Sequence, residues 1–228
     1  MATERATLAV VGFGNMGGAI IRGALAAGVL PEAEICVAEP DDARRGEAED
    51  VGLRVFADPA EAIAKTSPRY VMLAIKPQML AGLAQSVLPR AGFGGRVVIS
   101  ILAGTPIARI AETLRGPAVV RVMPNLPASV GMGVTAIAAG GGGAGVEEAA
   151  PPRGGGAPAG VEEVAFARRL FGAVSSLVVD LPEDRMDAFT AVAGSGPAYL
   201  FLLAETMTRA AVEAGLPEKD AAAMVRGT

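Results

Sequence analysis

Thr7-Leu8-Ala9-Val10-Val11-Gly12-Phe13-Gly14-Asn15-Met16-Gly17-Gly18-Ala19-Ile20-Ile21 decides the fold of this chain. The apolar run Leu8 to Val11 reads as a buried strand, and Met16, Ile20, Ile21 and Leu25 fall at helical spacing directly after the glycines. Gly12, Gly14 and Gly17 fit the G-x-G-x-x-G pattern between a strand and a helix. The first glycine permits a tight turn, the second lets backbone approach a diphosphate, and the third lets the helix sit close to the strand. A diphosphate placed there meets the unpaired N–H groups and positive end of a helix dipole. The plain alternative for such a triplet is an ordinary strand-helix turn. The strand expected at Ile35 to Ala38 supplies the second half of a βαβ unit and favours the dinucleotide reading.

Outward from that unit, strand two ends at Glu39, about 20 residues after the last glycine, where such folds place a carboxylate for the ribose hydroxyls. Arg44 and Arg45 follow within a turn and fit a ribose 2′-phosphate equally well. NAD and NADP therefore stay open, and a solvated charged loop over residues 39–50 is the competing account of the arginines. Asp58-Pro59-Ala60-Glu61 is a helix start with an N-cap and a first-position proline. Tyr70 to Ile75 is a near-continuous apolar run, as expected of a central parallel strand covered on both faces, and it ends in Lys76-Pro77-Gln78. Lys76 thus sits at the carboxyl edge of the sheet, where open α/β sheets bind ligands, unless it merely caps the strand. Further strands are expected at Arg96 to Ile101, Val119 to Met123 and Val134 to Ala138, with a helix from Ile107 to Leu114. Pro124-Asn125-Leu126-Pro127 is a rigid turn in which Asn125 either offers its amide to a ligand or closes an Asx turn.

Residues 139–160 break the alternation with runs of glycine and proline, and read as a flexible surface insertion. A helix from Val161 to Phe171 and a strand at Leu177 to Val179 follow, and the chain is helical from Glu183. Gly194-Ser195-Gly196 interrupts that stretch and Pro197 restarts it. From Tyr199 to Ala214 apolar residues nearly encircle the helix, which predicts burial inside the domain or against a second subunit.

Composition narrows the chemistry. With no histidine, any acid or base is Glu, Asp, Lys, Tyr, a hydroxyl or water, and a His-ligated metal site is excluded; no metal is expected. The single cysteine, Cys36, has no partner for an internal disulfide, which suits a reducing cytoplasm. A net charge of −4 without a basic cluster argues against a nucleic-acid partner. Residues 122–146 carry no ionisable side chain, yet their prolines and glycines break any membrane-spanning helix, and the residues before the first strand lack the apolar h-region expected of a signal peptide.

Several blocks together carry a family resemblance. Val11-Gly-Phe-Gly-Asn-Met-Gly17, Ala74-Ile-Lys-Pro-Gln78, Ser100-Ile-Leu-Ala-Gly104, Arg121-Val-Met-Pro-Asn-Leu-Pro127 and Asp187-Ala-Phe-Thr-Ala-Val-Ala-Gly-Ser-Gly-Pro-Ala-Tyr199 resemble the pyrroline-5-carboxylate reductase family in order and spacing. The resemblance spans nearly all the chain outside residues 139–160, and the Gly-Ser-Gly-Pro-Ala-Tyr core is its most specific block. It implies NADPH- or NADH-dependent reduction of 1-pyrroline-5-carboxylate to L-proline in a cytoplasmic, dimer-based oligomer. The implied architecture is α/β: a Rossmann-like doubly wound, mainly parallel sheet over residues 1–180, then an all-helical dimerisation domain from 181 to 228.

By carry-over, Val11, Gly12, Phe13, Gly14, Asn15, Met16, Gly17, Ala74, Ile75, Lys76 and Pro77 contact the cofactor, joined by Glu39, while Met123 and Asn125 lie near the nicotinamide. Ser195 and Gly196, before a helix, are candidates to position the substrate carboxylate. The family continues through further helices, including a Ser-Pro-Gly-Gly-Thr-Thr segment not found here, so the helical domain is expected to be incomplete. Two rival readings follow: an inactive cofactor-binding remnant or interaction subunit, and another Rossmann reductase acting on imines or β-hydroxyacids. The latter is disfavoured by the absence of lysine between Arg185 and Ala214.

Overall fold

A computed structural model describes residues 5–139 and 159–228 of the chain. The first half alternates strand and helix: β1 (Leu8–Val11), α1 (Asn15–Ala26), β2 (Ile35–Ala38), α2 (Asp42–Glu49), β3 (Arg54–Phe56), α3 (Pro59–Thr66), β4 (Tyr70–Leu73) and α4 (Leu80–Val87). It continues through β5 (Val97–Ser100), α5 (Ile107–Thr113), β6 (Ala118–Met123) and β7 (Gly133–Ala139). Then come α6 (Val161–Gly172), β8 (Ser175–Asp180), α7 (Met186–Phe189), α8 (Gly196–Glu213) and α9 (Glu218–Gly227). The sheet has the order β3-β2-β1-β4-β5-β6-β7-β8, parallel throughout except for the antiparallel pair β6 and β7.

All four residues of each of β1, β2, β4 and β5 are buried, because helices cover both faces. The pleat sends alternate residues to opposite sides. Ala9 and Val11 pack with Ile63, Val87, Ile110 and Met186 on one face, while Leu8 and Val10 pack with Ile20, Ile21, Leu170 and Phe171 on the other. A fully buried Ile63 or Ile20 contributes about 2–3 kcal/mol relative to an exposed one. Two helices begin where the sequence supplies an N-cap: Asp41 accepts from the Arg44 N–H and Asp58 from the Ala60 N–H.

The helix over Asp42–Glu49 replaces the charged loop that stood as the alternative reading for residues 39–50. The glycine- and proline-rich insertion, apart from its ends, lies outside the described residues. Helix α8 has no buried residue, with Tyr199, Leu200, Phe201, Leu202 and Leu203 each more than half exposed. Burial within the domain, one of the two expectations for this helix, is therefore excluded. The run Glu183–Glu213 is also the one stretch among the described residues long and apolar enough to cross a membrane by length and composition.

Candidate active site: a cleft at the carboxyl ends of the strands

The sheet reverses its strand order at β1, which has β2 on one side and β4 on the other. Ligands of open α/β sheets bind in the crevice outside such a switch point. Here it is a cleft of about 840 Å³. Its floor is the glycine turn, its walls are the ends of β2 and β4, and Met123 and Pro124 close the far end.

The glycine turn is shaped by backbone contact. Gly12 has φ +97°, and a Cβ there would lie 2.5 Å from the Ala74 carbonyl oxygen, so only glycine admits both the conformation and the approach. That contact seats residues 74–77 against the turn. A Cβ at Gly17 would lie 2.5 Å from the Gly12 oxygen, which holds α1 against the end of β1. Gly14 is the N-cap of α1 and supplies no side-chain acceptor, so the first-turn N–H groups of the helix are left for an anion. An extended molecule with a central diphosphate fits these features.

Beside the turn, Glu39 is only 4% exposed. Its Oε2 accepts from the Phe13 N–H at 2.7 Å and its Oε1 from the Asp41 N–H at 3.1 Å, tying the glycine turn to the start of α2. Arg45 donates to the carbonyl oxygens of Glu39 and Pro40 and to the Asp42 carboxylate, so its guanidinium holds the same loop together. Arg44 lines the cleft, and its guanidinium has no hydrogen-bond or ion-pair partner among the described residues. Lys76 and Pro77 are exposed on the opposite wall.

Most of the sequence-named cofactor residues converge on this cleft: Val11, Gly12, residues 14–16, Glu39, residues 74–77 and Met123 all line it. Phe13 turns its side chain into the core, 1% exposed, and Gly17 serves the packing beneath. Asn125 stands behind the wall. Its Oδ1 accepts from the Val134 N–H at 2.8 Å and its Nδ2 donates to the Ala193 carbonyl at 3.0 Å, so neither end of the amide is offered to the cleft.

Ser195 and Gly196 are not among the residues that line the cleft and sit on a helix that does not break. Residues Thr190–Gly194 form a π turn, closed by the Ser195 N–H donating to Thr190 O at 2.7 Å, and α8 follows directly. Pro197 has no N–H to offer the Ala193 carbonyl four residues back, and Asn125 fills that vacancy from the sheet. The Ser195 N–H is spent on the turn, while no hydrogen bond engages its hydroxyl among the described residues. Met123 joins the two regions: it lines the cleft, and a methyl group at Gly194 would lie 3.3 Å from its Cε.

Arg121 has a structural role that its motif did not disclose. Its side chain, 6% exposed, reaches from β6 to Glu183 at 3.3 Å and Asp187 at 3.4 Å. Glu183 Oε1 also accepts from the Ile107 N–H at the start of α5. The helical region is thereby fastened to the sheet beside the cleft's far end. The chemistry of a buried arginine in an apolar strand, which must find acids, was the available signal.

Two family models match the chain: pyrroline-5-carboxylate reductase dimerisation over residues 183–228, and NADP oxidoreductase, coenzyme F420-dependent, over residues 7–104. The pyrroline-5-carboxylate reductase of Synechocystis is 38% identical over 211 residues, covering 92% of this chain and 71% of the relative. That of Haemophilus influenzae is 35% identical over 222 residues, covering 96% and 74%. Among solved structures, a pyrroline-5-carboxylate reductase from Coxiella burnetii superposes with TM-score 0.75 at 25% identity, covering 97% of this chain and 76% of that one.

Proposed function

This chain belongs to the pyrroline-5-carboxylate reductase family, and from that premise we propose that it reduces 1-pyrroline-5-carboxylate to L-proline with NADPH or NADH. The observation that carries the reading is the backbone contact of Gly12 with Ala74 at the floor of the cleft, which joins the glycine turn to the strand-end motif in one dinucleotide-shaped groove. The bound reduced nicotinamide supplies a hydride to the imine carbon. The chain's own share is binding and orientation: helix N–H groups take the diphosphate, residues 74–77 form one wall, and Met123 with Pro124 exclude water at the reacting end. No histidine is available, and a substrate that enters as the iminium already carries the proton its nitrogen keeps. Ser195 and Gly196 are proposed to position the substrate carboxylate, with the free Ser195 hydroxyl as donor.

In the same reading, residues 1–180 form the cofactor-binding domain and residues 181–228 the helical domain through which a homodimer or larger homo-oligomer assembles. The exposed apolar residues of α8 and the match of residues 183–228 to a dimerisation family support a subunit contact over a bilayer. A cytoplasmic location accords with the lone, buried Cys36. The test is NADPH or NADH oxidation on addition of 1-pyrroline-5-carboxylate, with L-proline measured as product. Saturable cofactor binding with no proline formed would make the chain a cofactor-binding protein without this activity.

A further inference from the structure

On the role proposed above for Ser195, we infer that Asn125 is a positioning residue for the substrate. Its amide ties the π turn at Thr190–Gly194 to the end of β6, and that tie places the Ser195 hydroxyl for the substrate carboxylate.

Asn125 is 7% exposed, and both ends of its amide are engaged. Oδ1 accepts from the Val134 N–H at 2.8 Å, and Nδ2 donates to the Ala193 carbonyl at 3.0 Å. One partner is a donor and the other an acceptor, so the side chain must offer both functions, which an amide does and a carboxylate does not. The bond to Ala193 runs from the sheet to the helical region. It falls on the carbonyl that Pro197, lacking an N–H, cannot engage four residues later.

The junction is built from one side of β6. Arg121, Met123 and Asn125 alternate along the strand and its end, as residues sharing one face of a pleat do. Arg121 meets Glu183 and Asp187, Met123 meets the backbone at Gly194, and Asn125 meets Ala193. The first two fasten the region by charge and by packing. Asn125 adds a directional bond two residues before Ser195. A π turn inserts an extra residue into a helix and so changes where the following side chains point, and such turns recur at functional sites. This one is closed by the Ser195 N–H on Thr190 O at 2.7 Å, with the Tyr199 hydroxyl donating to Ala191 O at 3.2 Å from α8. The Ser195 hydroxyl has no hydrogen bond among the described residues, so the turn beneath it sets its place.

The test is a double-substitution cycle on the full chain, read by calorimetric binding of L-proline in the presence of NADP and by KM for 1-pyrroline-5-carboxylate with NADPH. Asn125→Asp keeps the acceptor for Val134 and removes the donor to Ala193. It should weaken L-proline by about tenfold and raise KM to match, the size of one hydrogen bond to a charged group, while NADPH affinity stays nearly unchanged. Ser195→Ala should lose as much, and the two changes together should cost little more than either, because both act on one contact. Pro197→Ala returns an N–H to Ala193 within the helix but no tie to the sheet, so it should not restore L-proline affinity to Asn125→Asp. The inference is overturned if Asn125→Asp binds L-proline as wild type does, if the two losses add in full, or if NADPH weakens as much as L-proline. Recovery through Pro197→Ala also overturns it, since the bond would then serve only to satisfy one carbonyl. Wild-type protein that binds NADPH but neither binds L-proline nor turns over the imine overturns it together with the substrate reading on which it stands.

Discussion

At the carboxyl ends of β1, β2 and β4 the chain completes its own structure: Glu39 is braced by two amides, Gly12 rests on Ala74, and the strands beneath are fully buried. Along α8 no residue is buried, and five consecutive large side chains from Tyr199 to Leu203 face outward. The first region's backbone and polar groups are satisfied within the chain, and the core beneath it is completed by Leu170, Phe171 and Met186 from the second half. The second holds apolar surface that a single chain leaves open to water, and it is the surface through which assembly is proposed. Cofactor binding and assembly are thus separable properties here, and substitutions should move one without the other.

The largest expected effect is on assembly. Phe201→Glu places a charge where two copies would bury an aromatic ring, costing the dimer about 5 kcal/mol from two lost side chains. Size-exclusion chromatography with light scattering should show wild-type protein associating and the variant as monomer, with cofactor affinity per chain unchanged. A variant of undiminished size would place the interface elsewhere.

The converse break is Gly12→Ala. It forces a methyl group to 2.5 Å from the Ala74 oxygen at a left-handed φ, which costs about 3 kcal/mol in strain and displaced backbone. NADPH affinity should fall by about 100-fold, the binding equivalent of that distortion, while the variant still associates through α8. Equal cofactor affinity for variant and wild type would mean that the turn does not form the cradle.

Between the two regions runs Arg121, and Arg121→Ala tests whether they are coupled. Truncation leaves Glu183 short of its cation and a void in β6, worth about 2 kcal/mol. Hydrogen exchange should quicken in residues 183–194 and change little in β1 and β2. Protection lost equally across the sheet would show that Arg121 supports the whole fold instead of one junction.

How much of this was legible follows from how far apart the determinants lie. The glycine turn, the strand end from Ala74 to Pro77 and the buried strands could be read because each is a short pattern with a mechanical meaning, whereas Glu39 read as a ribose acceptor and is found accepting from the Phe13 and Asp41 N–H groups. The Arg121 junction joins β6 to acids more than 60 residues later, and no local pattern announces which acids those will be. Gly194-Ser195-Gly196 read as a break, yet the helix continues: the carbonyl that Pro197 cannot use is taken by Asn125, 68 residues earlier in the chain. Asn125 itself read as a ligand group or an Asx turn, because its two real partners, Val134 and Ala193, belong to other elements. For α8, an all-round apolar pattern specifies burial but not by what, and a single chain leaves it open to solvent.

The smallest effect expected is at Asp58, on the cradle side, and it sharpens the contrast by showing how completely that side is tied together. Asp58 caps α3 through the Ala60 N–H and pairs with Arg90 beyond the end of α4. Burial pushes its carboxyl up, but the Arg90 and backbone hydrogen bonds outweigh that and hold it below the ordinary 3.8. A carboxyl held low in the folded state contributes stability above its unfolded value and loses it as pH falls through the folded value. The contribution should therefore be intact at neutral pH and disappear below about pH 4. Asp58→Asn keeps an effective N-cap while removing the charge, so its cost at pH 7 should be no more than about 1 kcal/mol. Thermal melts from pH 7 to pH 3 should show wild type and variant converging in acid; a gap that stays constant with pH would mean that the carboxylate acts through its shape alone.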